Sequence, residues 1–216
     1  MDGEPIAAYM QDPMEISGDG SVTYIGVIQG RDWLLSWDLG TSRNLAGNTV
    51  LSGTVSTANS GEASRHFELV VALPICPLET AQTRIGGVTT IAFVTDREGG
   101  ELTSSGRQPV WRLLMDGETG WSLFLDPFGL YATGAGSLAT SQIFGAPFPN
   151  APGPALQERL GIKLDFVISE GDFANITTNV IAAPDLASLA AFDGPDDECP
   201  QDLNDDGAVD IFDLSA

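Results

Sequence analysis

The sequence is short of positive charge. Nine Lys and Arg stand against 30 Asp and Glu, a formal net charge of −21, with Lys163 the sole lysine and His66 the sole histidine. Binding to a phosphate backbone needs clustered cations, so no nucleic-acid partner is expected, and anionic membrane surfaces are disfavoured for the same reason. No apolar run approaches the roughly 20 residues that span a bilayer, so no membrane insertion is expected. Cysteine is scarce too: Cys76 and Cys199 could pair, but nothing in their spacing requires it. The N-terminus, MDGEPIAAYM, has no positive region followed by an apolar stretch and does not read as a signal peptide.

Signatures of catalysis are also lacking. There is no G-x-S-x-G, H-E-x-x-H or P-loop spacing. His66 could be cast in a dyad with Cys76 or a serine, but it lies on the polar side of an alternating segment, where a surface histidine is the plainer reading. Glu68 and Asp165 also fall on polar strand faces and could serve a glycoside hydrolase as acid and base if the fold brought them together. No catalytic residue is assigned.

What the sequence does have is period-two alternation, the mark of half-buried strands. Trp33, Leu35, Trp37 and Leu39 share one face of RDWLLSWDL. Phe67, Leu69, Val71 and Leu73 do so in RHFELVVAL, and Ile162, Leu164, Phe166 and Ile168 in GIKLDFVIS. Weaker strand segments are SVTYIGVIQ, TVLSGTVST, VTTIAFVT, VWRLLMD, WSLFLD, GSLATSQIF and ITTNVIA. Turn signals separate them, among them Asn59-Ser60-Gly61, Glu98-Gly99-Gly100 and the proline-rich APFPNAPGP. Asp116-Gly117 reads as a hairpin turn, with Glu118-Thr119-Gly120 lengthening the loop. About ten short strands at this spacing predict an all-β, antiparallel β-sandwich rather than βαβ units. The hydrophobic fraction of 43% and mean hydropathy of +0.06 suit a folded domain with a small appendage. The expected division is a sandwich over 1–183, an acidic Pro/Ala/Asp connector over 184–198 and a final unit over 199–216.

Four tryptophans raise a carbohydrate-binding alternative, because indole faces stack on sugar rings. Trp33 and Trp37 lie on the apolar face of their strand and read as core. Trp111 and Trp121 flank the Asp116-Gly117 turn and are the candidates for a ligand platform on a polysaccharide. Asn175-Ile176-Thr177 spells a glycosylation sequon but reads first as part of a strand.

The most informative stretch is Asp202–Asp213. Calcium is a hard cation that takes six to eight oxygens, and a twelve-residue loop wraps it with positions 1, 3, 5, 7, 9 and 12. Asp202, Asn204 and Asp206 supply side-chain oxygens at 1, 3 and 5, and Gly207 permits the sharp turn at 6. Ala208 offers its carbonyl at 7, Val209 is the apolar residue at 8, Asp210 acts at 9, and Asp213 closes the site.

CPQDLNDDGAVDIFDLSA resembles the first half of a type I dockerin repeat, an EF-hand-like unit with the pattern D-x-N-x-D-G-x-V/I-x-x-x-D-L. The resemblance implies Ca²⁺ as cofactor, calcium-dependent folding of a loop–helix unit, and docking to a cohesin-like protein or cell-surface component. The chain departs from that family at positions 10 and 11, here Ile211 and Phe212, and carries one repeat rather than two. Cys-Pro before such a loop is similar to secreted planctomycete-type bacterial proteins, and the sandwich resembles their β-rich exported proteins. Together with the abrupt end, this predicts a secreted or surface-attached product whose leader and second repeat lie outside the chain. The expected function is a non-catalytic sandwich with a calcium-binding attachment tag, linked to extracellular polysaccharide breakdown. A carbohydrate-binding module and a glycoside hydrolase fragment are the alternatives.

Overall fold

The computed structural model describes residues 15–16, 21–44 and 46–185. The connector beyond Asp185 and the expected calcium loop lie outside the described residues. In chain order the strands are β1 (Glu15–Ile16), β2 (Val22–Gln29), β3 (Trp33–Arg43), β4 (Thr49–Asn59), β5 (Arg65–Pro74), β6 (Leu78–Thr95) and β7 (Gly100–Ser104). They continue with β8 (Trp111–Met115), β9 (Glu118–Leu123), β10 (Gly129–Ala132), β11 (Gly136–Phe144), β12 (Ala151–Leu156), β13 (Arg159–Ile168) and β14 (Phe173–Pro184). The described residues are all-β, and every pairing is antiparallel.

The strands form two sheets. The larger runs β1-β2-β3-β4-β14-β6-β11, with β12 beside β11 on the same edge of the long strand β6. The smaller runs β10-β7-β13-β8-β9, with β5 along the other side of β13. One continuous apolar core lies between them, fed by the inward residues of both. Trp33 of β3 meets Phe67 of β5 edge-on at 6.1 Å, and Trp111 of β8 meets Phe144 of β11 at 6.0 Å, so aromatic rings bridge the sheets near both ends.

Every segment with a strand signal in the sequence forms a strand, whereas β1, β7, β10 and β12 carry no such signal. β12 lies within the proline-rich stretch that reads as a turn. Pro152 and Pro154 are tolerated because, among the described residues, β12 pairs only with β6, and an edge strand can spare N–H donors. The hairpin at Asp116-Gly117 is tighter than expected. Both residues have positive φ, 50° and 88°, so they form a two-residue primed turn and Glu118 already pairs with Met115. The Asp116 carboxylate also accepts backbone N–H from Gln157, Glu158 and Arg159, each at 2.8 Å, fixing the β12–β13 turn against the hairpin.

At one end a polar knot joins the sheets. Asn59, fully buried at the end of β4, donates to the carbonyls of Ala63 at 2.9 Å and Ser169 at 3.0 Å. Asp172 is also buried, accepting from the Asp96 N–H at 3.2 Å and from the Ser169 hydroxyl. Burial is the main cause that raises its pKa, against the lowering effect of those hydrogen bonds. Gly100 lies against this carboxylate, where any Cβ would overlap Asp172 and Ser169.

Candidate functional site

The densest grouping of titratable side chains among the described strands lies on the outer face of the smaller sheet. Alternation aims Phe67, Leu69, Leu164 and Phe166 inward, which leaves His66 and Glu68 of β5 and Lys163 and Asp165 of β13 outward. Asp165 is directly opposite Glu68, and Lys163 is opposite Arg112 of β8. Residues some 95 positions apart in sequence thus become cross-strand neighbours, with Lys163 bonded to Glu68.

Asp165 is the hub. Although on the outer face it is 6% exposed, covered by the longer side chains around it. Its Oδ1 lies 2.8 Å from His66 Nε2, and its Oδ2 lies 3.5 Å from Arg112 Nη2. Glu68 is paired with Lys163, and that hydrogen bond is the main cause that lowers the Glu68 pKa below the ordinary glutamate value. Desolvation opposes the shift, and the charges of Lys163, His66 and Arg112 reinforce it.

The arrangement brings together the two carboxylates that a glycoside hydrolase would use, but both are tied up. Opposed residues in an antiparallel pair have Cβ atoms about 4.5–5.5 Å apart, close enough for such a pair to cooperate. A general acid, however, must hold a proton near neutral pH, and Lys163 drives Glu68 the other way. Asp165 has a side-chain partner at each oxygen, His66 at one and Arg112 at the other. The dyad of His66 with Cys76 fails for a separate reason: Cys76 is disulfide-bonded and offers no thiol. The one other cysteine of the chain, Cys199, lies outside the described residues.

The expected tryptophan platform is turned inward. Trp111 is 0% exposed, so it has no face to offer a sugar ring. Trp121 pairs with Leu113 rather than Trp111 and stacks on Phe144 at 5.3 Å. Gly120 is the extra residue of a bulge between these pairs, and it places Trp121 on the same inner side as Trp111. Trp33 and Trp37 pack in or against the core as their alternation predicts. Asn175 and Thr177 lie on the outer side of β14 within regular pairing to β4 and β6.

The expected calcium ligands Asp202, Asn204, Asp206, Ala208, Asp210 and Asp213 lie outside the described residues. Among those described, no group of three or more His, Cys, Asp or Glu is placed to hold a metal ion. The donor chemistry at 202–213 suits calcium: every ligand is a carboxylate, amide or carbonyl oxygen, with no nitrogen or sulfur.

No protein-family model matches the chain, and no curated protein matches it. Among solved structures, a chain from the structure of infectious bursal disease virus Gx strain aligns with 87% of this chain and 39% of its own length. The identity is 15% and the TM-score 0.27.

Proposed function

We propose that the protein is a non-catalytic β-sandwich carrying a C-terminal calcium-binding loop, and that it acts outside the cell as an attachment or assembly module. The observation that carries this reading is the oxygen-ligand spacing of Asp202, Asn204, Asp206, Asp210 and Asp213 around Gly207. The contacts of Glu68 with Lys163 and of Asp165 with His66 and Arg112 support it further, because they occupy the two carboxylates that a glycoside hydrolase reading would use. Bound calcium would supply the charge that draws these carboxylates together and orders the loop. The chain's part is to present six oxygens, with Gly207 making the turn and Val209 the apolar contact. The cohesin-like partner follows from the dockerin resemblance, and Ile211 and Phe212 make its contact surface apolar where the family pattern is often hydroxylated.

Calorimetric and NMR titration of the full chain with CaCl₂ tests this. Binding in the range of about 10⁻⁴–10⁻³ M is expected for a single loop of this kind, with amide shifts confined to 202–213. Asp202→Ala should abolish the response. A titration to millimolar Ca²⁺ that leaves those amides unmoved would sink the proposal.

A further inference from the structure

We infer that the open edge of β11 is a self-association site, at which a second copy of this chain adds its own β11 in antiparallel register and extends the larger sheet across a two-fold axis. A sheet edge presents unpaired N–H and C=O groups and templates the addition of another strand unless something blunts it. Among the described residues the other edges, apart from the last part of β2, are blunted. β10 is four residues long, β12 carries Pro152 and Pro154, and β9 is bulged at Gly120. β5 carries Arg65, His66 and Glu68 and ends at Pro74.

β11 has none of these devices. Its nine residues, GSLATSQIF, contain no charge and no proline. They pair with β6 without a register break from Gly136↔Thr95 to Phe144↔Gly87. Among the described residues no other strand pairs with it. In a chain of net charge −21, a run that can meet its own copy without setting carboxylate against carboxylate is the place where self-association is least opposed.

The surroundings add apolar area. Ile143 is 61% exposed, Leu125 is 62% exposed beside the Phe124 N–H that binds the Gln142 side chain, and Phe148 is 47% exposed in the following turn. An antiparallel pair centred on Thr140 uses the whole strand and sets Ala139 of one copy against Ser141 of the other. It also joins the outer faces of two larger sheets into one surface. Among the described residues the nearest competing edge is Ile25–Gln29 of β2, which is shorter and contains Gly26.

Sedimentation equilibrium of the full chain, in chelator so that calcium plays no part, tests the inference. A two-chain mass is expected at high micromolar concentration, strengthened by added salt as repulsion between the acidic copies is screened. Ala139→Lys with Ser141→Lys places like charges opposite each other and should weaken the dimer by about tenfold or more. Mixing that variant with Ala139→Glu/Ser141→Glu should restore a one-to-one complex, which a merely misfolded variant could not do. Val27→Lys on β2 should leave the dimer intact. A monomer at all concentrations, a dimer indifferent to the β11 charges, or a dimer broken by Val27→Lys instead would overturn the inference.

Discussion

The two sheets share a core but present different outer faces to solvent. Across the larger sheet one row reads Ile25, Asp38, Thr54, Thr177, Thr90 and Ser141 from β2 to β11. The next reads Val27, Ser36, Ser56, Asn175, Ala92 and Ala139. Asp38 is the one charged side chain in these rows; Arg84, paired with Asp185 at 3.1 Å, lies further along β6. The smaller sheet has the reverse character, with His66, Glu68, Lys163, Asp165 and Arg112 interlocked. Both solve the same problem of covering strands whose other side is apolar. The larger face uses short hydroxyls that bond across strands, and the smaller uses long charged side chains that pair and cover Asp165. The difference teaches where single changes matter: a row of independent contacts loses little with each, whereas a hub loses several at once.

The hub gives the largest expected effect. Asp165→Ala leaves Arg112, whose side chain is 17% exposed, without its carboxylate, and frees His66. Removing one partner of a buried pair is costly, although the half-exposed His66 can recover water. A loss of about 2–3 kcal/mol is expected in urea unfolding. A loss below about 0.5 kcal/mol would mean that the hub is a set of surface pairs, and the contrast between the faces would collapse.

Glu68 sharpens the contrast at a smaller scale. Its pKa is lowered in the folded protein, chiefly by the Lys163 hydrogen bond, so the unfolded chain binds its proton more readily. Its contribution is therefore fully present above its ordinary value of 4.5 and is lost as pH falls through the lower folded value. Because the side chain is 49% exposed, Glu68→Gln should cost about 0.5 kcal/mol at neutral pH. The gap between variant and parent should narrow on acidification when unfolding is followed at successive pH values. Asp172 in the knot pulls the opposite way. Its pKa is raised chiefly by burial, so from 3.8 upward its ionisation makes the folded state less stable as pH rises. The difference curve for Glu68→Gln isolates one of these opposed trends.

The same contrast marks how far the sequence could be read. The long strands were legible because each separates core from water, and that separation is written as alternation in β3, β5 and β13. β12 was not, since its identity rests on pairing with β6 and its prolines read locally as a turn. The polar faces of β5 and β13 were legible one strand at a time. That Asp165 would sit opposite Glu68 depends on a register between distant segments, which no local pattern encodes. Trp111 could have been read as core, since it alternates with Leu113 and Met115. Trp121 could not, because the bulge at Gly120 breaks the parity that such a reading assumes. The proposed calcium loop is of another kind, since a loop that wraps one ion would write its chemistry into consecutive residues, but 202–213 lie outside the described residues.

The smallest expected effect is the most direct test of the larger sheet. Thr54 and Thr177 are opposed on its outer face, with hydroxyls 3.1 Å apart, and each strand is already held by its backbone ladder. Replacing both by valine keeps the β-branched shape and removes donor and acceptor together, so no partner is left unsatisfied. The double variant should stay within about 0.5 kcal/mol of the parent, and the singles should differ from it by no more than a few tenths in a double-mutant cycle. If the hydroxyl rows are instead a cooperative network spanning β4, β14, β6 and β11, the coupling between Thr54 and Thr177 would exceed about 1 kcal/mol. The Thr90–Ser141 bond of 2.8 Å in the same row would then weaken with them. Such a result would make the neutral face as interdependent as the charged one, and would tie the integrity of β11's edge to side chains three strands away.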